Sequence, residues 1–283
     1  MNLSKILILV LLALSDCIPS NEQTFEGELP AGYSYERMEK VKLSMRMEEV
    51  SGLEWVGENE LWAIEDESSS IFKLDIESGK VTKDSKFAKN KDIEDLMVID
   101  GVAWVLESNG KLYEVKNPFE ENQETEDYSF PIKEKRDFES LFYDPNENDI
   151  WILCKDCSWD EGPKKTSAIP FSLDRKEFQT NRSKELKRKQ LRALPSGDEE
   201  KKYQMKPSAA AKHPFRDEIY VVSSAGHWLL IMDLDWNLKD VYHLDKDLFK
   251  QPEGITFDPK GNLYFSNEAR GGTPNLLIFD FSQ

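Results

Sequence analysis

Apolar residues in this chain fall in short runs of four to six, alternate with polar ones inside each run, and are cut by turn residues. That period of two predicts β-strands rather than helices. The runs also recur. Five segments align: Glu49–Leu53 (EVSGL), Asp92–Leu96 (DIEDL), Asp137–Leu141 (DFESL), Lys206–Ala210 (KPSAA) and Gln251–Ile255 (QPEGI). Each opens a strand, and a turn then leads to a second strand, in the pairs LEWV/ELWAI, LMVI/VAWVL, LFYD/DIWIL, AAKH/EIYVV and ITFD/NLYFS. The turns carry Gly, Asn, Asp and Pro, as in DPNEN from Asp144 and DPKGN from Asp258. A third run follows each time: IFKLDI, KLYEV, AIPFSL, LLIMDL and LLIFDF.

Measured at the fourth residue of each segment, the spacings are 43, 45, 69 and 45 residues. A period in the forties with four strands per unit is that of a β-propeller blade. The chain is therefore expected to be all-β, a propeller of five blades. Its long interval is expected to hold an insertion near 176–204, and the alternative is a sixth, degenerate blade hidden there. The last unit has three strands before Phe281. Residues 37–45 (RMEKVKLSM) have strand character and are expected to supply its fourth strand, closing the ring and leaving no open edge.

The N-terminus reads differently. Lys5 precedes the apolar run ILILVLLAL at 6–14, which is too short to span a bilayer, and Cys17 follows. This predicts a secretory signal over 1–16 and lipidation of Cys17. Residues 17–35 are expected to be a tether from a bacterial membrane, and 36–283 one propeller domain. The expected address is the cell envelope, periplasm or cell surface.

Charge narrows the chemistry. There are 37 Lys and Arg against 54 Asp and Glu, a formal net charge of −17. A duplex nucleic-acid partner is excluded, because phosphates demand a basic surface. Three His residues supply too few ligands for a His-rich zinc or copper centre. Cys154 and Cys157 form one CxxC with no second pair, which excludes a four-thiolate zinc site. They are expected to be a buried strand thiol and a loop thiol, joined if the compartment is oxidising. The run RSKELKRKQLR at 182–192 holds six basic residues, and it is expected to be a helix on the outer rim, touching anionic lipid, a partner or only solvent.

The blade starts carry the candidate site. Their first position reads Glu49, Asp92, Asp137, Lys206, Gln251, and their third reads Ser51, Glu94, Glu139, Ser208, Glu253. Residues two apart on a strand share a face, so both rows are expected to converge at one channel mouth. Crowded carboxylates repel unless neutralised, and a hard cation with flexible oxygen coordination, Ca²⁺ before Mg²⁺, is the expected remedy. The expected metal ligands are Glu49, Glu94, Glu139 and Glu253. Asp92, Asp137, Asn267, Glu268 and Arg270 are expected to face a ligand, with Arg270 offering a cation to a carboxylate or phosphate. His227, in a loop of the same face, is a candidate general base.

The segments QPEGITFDPKGNLYFSNEARGG, KPSAAAKHPFRDEIYVVSS, RDFESLFYDP and EVSGLEWV resemble the SdiA-regulated family of bacterial β-propellers, over roughly residues 37–281. The resemblance implies an envelope-directed propeller. It also implies an architecture related to calcium-dependent lactonase and phosphotriesterase propellers and to esterase-like phytase propellers. Glu94, Glu139 and Glu253 match the family's blade-start acids, whereas Ser51 and Ser208 stand where acids would. The function expected is cation and ligand or partner binding by a lipid-anchored monomer. The alternative is a calcium-dependent hydrolase of esters, lactones or phosphoesters in which Asp92 or Asp137 acts as base.

Overall fold

Each recurrent unit folds into one antiparallel sheet, because its β-branched and aromatic runs are joined by short turns that allow only neighbour pairing. The computed structural model describes residues 25–194 and 203–282. Cys17 and the apolar run before it lie outside the described residues.

Blade I contains β2 (Val50–Gly57), β3 (Glu60–Glu65), β4 (Ser70–Asp75) and β5 (Val81–Lys86). Blade II contains β6 (Ile93–Ile99), β7 (Val102–Glu107), β8 (Leu112–Lys116) and β9 (Glu124–Tyr128). Blade III contains β10 (Phe138–Asp144), β11 (Asp149–Cys154), β12 (Lys165–Ser172) and β13 (Glu177–Phe178), and β14 (Lys184–Lys187) also pairs with β12. Blade IV contains β15 (Ala209–Lys212), β16 (Glu218–Ser223), β17 (Trp228–Asp233) and β18 (Leu238–His243). Blade V contains β19 (Pro252–Phe257), β20 (Leu263–Asn267) and β21 (Asn275–Phe279), with β1 (Met38–Lys42) outside β21. The register runs from Met38 opposite Phe279 to Lys42 opposite Asn275. The ring is thus five blades closed by an N-terminal strand, as the sequence predicts.

The inner strands β2, β6, β10, β15 and β19 touch in turn, and β19 meets β2 again. Alternation along the strands gives every sheet two apolar faces. On β3, Leu61 and Ala63 pack toward blade V, whereas Ile64 packs toward blade II. The core is therefore five apolar layers, one between each pair of neighbouring blades. Polar links add to them at the inner strands. Ser51 Oγ donates to Ile93 O at 2.8 Å, and Ser208 Oγ donates to Pro252 O at 2.7 Å. The buried Asp95 carboxylate accepts from Leu96 N at 2.8 Å and from Leu141 N, one blade on, at 2.9 Å. Gly52 lies hard against this link, since a Cβ there would come within 2.9 Å of Asp95 Cα.

Two stretches differ from the sequence reading. The basic run is not one helix. Lys184–Lys187 pairs with β12, and a single turn, α1 (Arg188–Leu191), follows. Leu186 and Leu191 are buried in the layer between blades III and IV, and alternation around Leu186 selects a strand there. Residues 25–35, within the expected tether, lie against blades IV and V. Tyr33 is buried, its hydroxyl donates to Gly261 O at 2.8 Å, and Phe25 stacks on Tyr35.

Candidate metal centre at the channel mouth

The third position of a blade start gains its direction from a β-bulge. In four blades the inner strand slips by one residue against its neighbour, at Val50/Gly52, Ile93/Asp95, Phe138/Ser140 and Pro252/Gly254. The residues left unpaired are Ser51, Glu94, Glu139 and Glu253. A bulge bends the strand and re-aims the extra side chain. Simple alternation therefore does not describe the rows: the bulged residue is released from the pleat.

Glu94, Asp137 and Glu139 come together, each offering a carboxylate oxygen, and these oxygens lie within 4.8 Å of one another. That spread matches what one cation with oxygen bonds of about 2.3–2.6 Å can gather. Glu139 and Glu253 are buried, 7% and 8% exposed, and Glu94 is half-buried. Burial raises the pKa of Glu94, and Glu139, Asp92 and Asp137 push it further up. Burial also raises Glu139, partly offset by the Lys155 ammonium that pairs with it. Glu253 is pushed up to about 7 by burial and by Glu268.

Glu49 does not join this cluster. It stands with Asp66 and Glu268 on the neighbouring arc of the mouth. Burial raises the pKa of Asp66, and the neighbouring Glu49 charge pushes it further up. Glu268 is raised to about 7 by burial and by the Asp66 and Glu49 charges, with Arg270 working against them. Asp92 is exposed at the rim and adds its charge to Glu94 and Asp137. Arg270, with φ of 42°, reaches back to the Gln251 side chain. Asn267 is a correction: it is fully buried, and its amide is spent on Gln251 N, Leu248 O and Asn275 Oδ1, so no group is left for a ligand.

The loops after the second strands bring Asp66 and Lys155 to this face, where they belong to a third row. The residue after the second strand of a blade donates its backbone N–H to the carbonyl of the first motif position. This holds for Asp66 to Glu49, Ser108 to Asp92, Lys155 to Asp137 and Glu268 to Gln251, at 2.8–3.3 Å. Lys155 is further fixed by the disulfide that closes its loop, Cys154–Cys157. Burial opposes its charge, but Glu139, Glu253 and Asp137 hold its pKa above the ordinary value.

A family model described as SdiA-regulated matches residues 29–279. The chain belongs to the SdiA-regulated family. No curated protein sequence matches it. This SdiA-regulated propeller is similar to glutaminyl cyclase of Myxococcus xanthus, with a TM-score of 0.57 at 12% identity, over 87% of this chain and 96% of that one. Streptogramin B lyase is similar over 86% of this chain and 97% of its own, at 13% identity and a TM-score of 0.46. At 12% identity the likeness to the cyclase is one of fold.

Proposed function

We propose that the channel mouth binds a divalent cation, Ca²⁺ by the character of its donors, and presents it to a ligand or partner. The observation that supports this reading is the convergence of Glu94, Asp137 and Glu139, whose oxygens lie close enough to share one ion. Charge repulsion makes such a cluster costly without a counter-ion, and a single Lys155 compensates it only in part. Glu94 and Asp137 supply the first ligands, and Glu139 joins them when Lys155 swings aside. Glu253 sits close enough to Glu139 to share its field. Glu49, with Asp66 and Glu268, lines the approach, and the Arg270 guanidinium at the rim suits an anionic group on what binds.

Calcium titration by calorimetry, with a parallel thermal melt, tests the reading. Binding that raises the melting temperature is expected, since a ligand of the folded state alone stabilises it. Glu94→Gln and Glu139→Gln should each weaken it at least tenfold. Affinity unchanged in both variants overturns the assignment.

The same proposal places the propeller, as a monomer, on a bacterial cell envelope by lipid on Cys17. Its support is the apolar run 6–14 ending just before that Cys. Mass spectrometry of the chain from its native host decides. A lipidated Cys17 as first residue is expected, and a mature chain retaining Met1 rejects it.

A further inference from the structure

On a chain whose formal charge is −17, one cavity is basic. It has a volume of about 310 Å³ and is lined by Lys164, Lys165, Lys187, Arg188, Lys189 and Arg192, with Glu161 the one acid among the described residues of its wall. It shares no residue with the channel mouth. The insertion builds it, and local structure explains how. Strand β14 docks on β12 with Lys187 opposite Lys165. The turn of α1 then carries Arg188 and Lys189 past the strand edge, while Leu191 anchors the turn in the core. A short 3-10 turn, Gly162–Lys164, brings Lys164 to the other side.

Some of this charge is answered. Lys165 pairs with Glu185 at 2.7 Å and with Asp160 at 3.4 Å, and Lys187 pairs with Glu185 at 2.6 Å. Among the described residues, Lys164, Arg188, Lys189 and Arg192 have no ion-pair partner. Among the described residues, with Asp160, Glu161 and Glu185 counted against the six cations, three positive charges are still unanswered around one concavity. Like charges repel, and the fold holds these together rather than spreading them over the surface. A concavity lined by one sign of charge also concentrates the field on what enters.

We propose that this pocket binds a phosphate-bearing anion. A monocarboxylate carries one charge and would leave most of the lining unmatched. A phosphate group carries more charge on several oxygens, and the two Arg guanidinium forks match its geometry while the Lys ammoniums act as point charges. A soluble diphosphate and the headgroup of an anionic phospholipid offer this same chemistry.

The test uses inorganic pyrophosphate by calorimetry, and phosphatidylcholine vesicles with and without phosphatidylglycerol by co-sedimentation. The comparison is between wild type, the double variant Lys189→Glu with Arg192→Glu, and Lys80→Glu as a distant exposed control. Lys189 and Arg192 are exposed, so the double variant should keep the wild-type melt. Binding of pyrophosphate that the double variant weakens at least tenfold, and the control does not, identifies a soluble phosphate ligand. Binding confined to phosphatidylglycerol vesicles, with the same dependence, identifies a headgroup. Either binding should fade as salt is raised. Absence of both, or equal loss in the Lys80→Glu control, overturns the proposal.

Discussion

A chain that begins at residue 44 is expected not to fold cooperatively. It lacks β1, whose five residues pair with β21 from Met38–Phe279 to Lys42–Asn275. The outer edge of blade V is then left as a row of unpaired backbone groups next to the apolar Leu277 and Phe279. The loss extends beyond the ladder. Tyr33 and Leu43 are buried, and each such side chain contributes about 1.5–3 kcal/mol. Removing Tyr33 also strips a partner from His213. Together these terms exceed about 5 kcal/mol, which is comparable to the whole stability of a typical domain. Urea unfolding followed by near-ultraviolet circular dichroism checks this. A single cooperative transition with a midpoint near that of the longer chain would show that the ring closes without its N-terminal strand.

Stability of the calcium-free protein is expected to peak at mildly acidic pH, because two sets of groups titrate in opposite senses. Glu253 and Glu268 are raised to about 7 in the fold, from 4.5. A raised carboxyl binds its proton more tightly when folded. Its contribution is therefore fully present below the unfolded pKa and is lost as pH rises through about 7. Acidifying from pH 8 to 6 should stabilise the fold by roughly 2 kcal/mol, or several degrees of melting temperature. Saturating calcium, by neutralising the mouth, should raise the melting temperature most at pH 8 and flatten this limb. Glu94→Gln should raise the calcium-free melting temperature at pH 8 while weakening the response to calcium.

His213 governs the other limb. Nδ1 of this buried imidazole accepts from the backbone N–H groups of Phe215 and Arg216, at 3.4 and 3.3 Å. That requires the proton on Nε2, which faces the Tyr33 hydroxyl at 3.3 Å. Burial, with Arg216 and Lys212 nearby, depresses its pKa from 6.5 to about 4. A depressed His gives stability that is present above pH 6.5 and lost as pH falls toward 4, about 3 kcal/mol in all. Melts from pH 4 to 8, with and without calcium, should thus show a dome without calcium and only the acid fall with it. A calcium-free curve that is flat above pH 6 would mean the channel acids are not the crowded groups described.

The blades were legible because their signals are local. Alternation, DPNEN and DPKGN turns and the recurring blade starts each depend on a few neighbouring residues, and their period alone selects a propeller. The candidate site was legible by row and not by place. Glu94, Asp137 and Glu139 could be named from the repeat, but their meeting depends on bulges that break the alternation used to group them. Asn267 was misassigned for a related reason. It ends strand β20 just before Glu268, and only the packed structure turns one residue inward to bond Leu248 and the next toward the mouth. The basic run was misread because six charges hid Leu186, one apolar residue whose burial selects a strand.

By itself, the sequence determined the number of blades, the ring closure by residues 37–45, the acidity of the blade starts and the family resemblance. These follow from pattern and spacing, which survive any detail of packing. The tertiary structure alone decided which acids share one point and that Lys155 is their counter-ion. It also decided that residues 25–35 strap the ring and that the insertion folds into a cationic pocket. Those outcomes depend on distances between residues far apart in the chain, set by how five sheets pack around one axis.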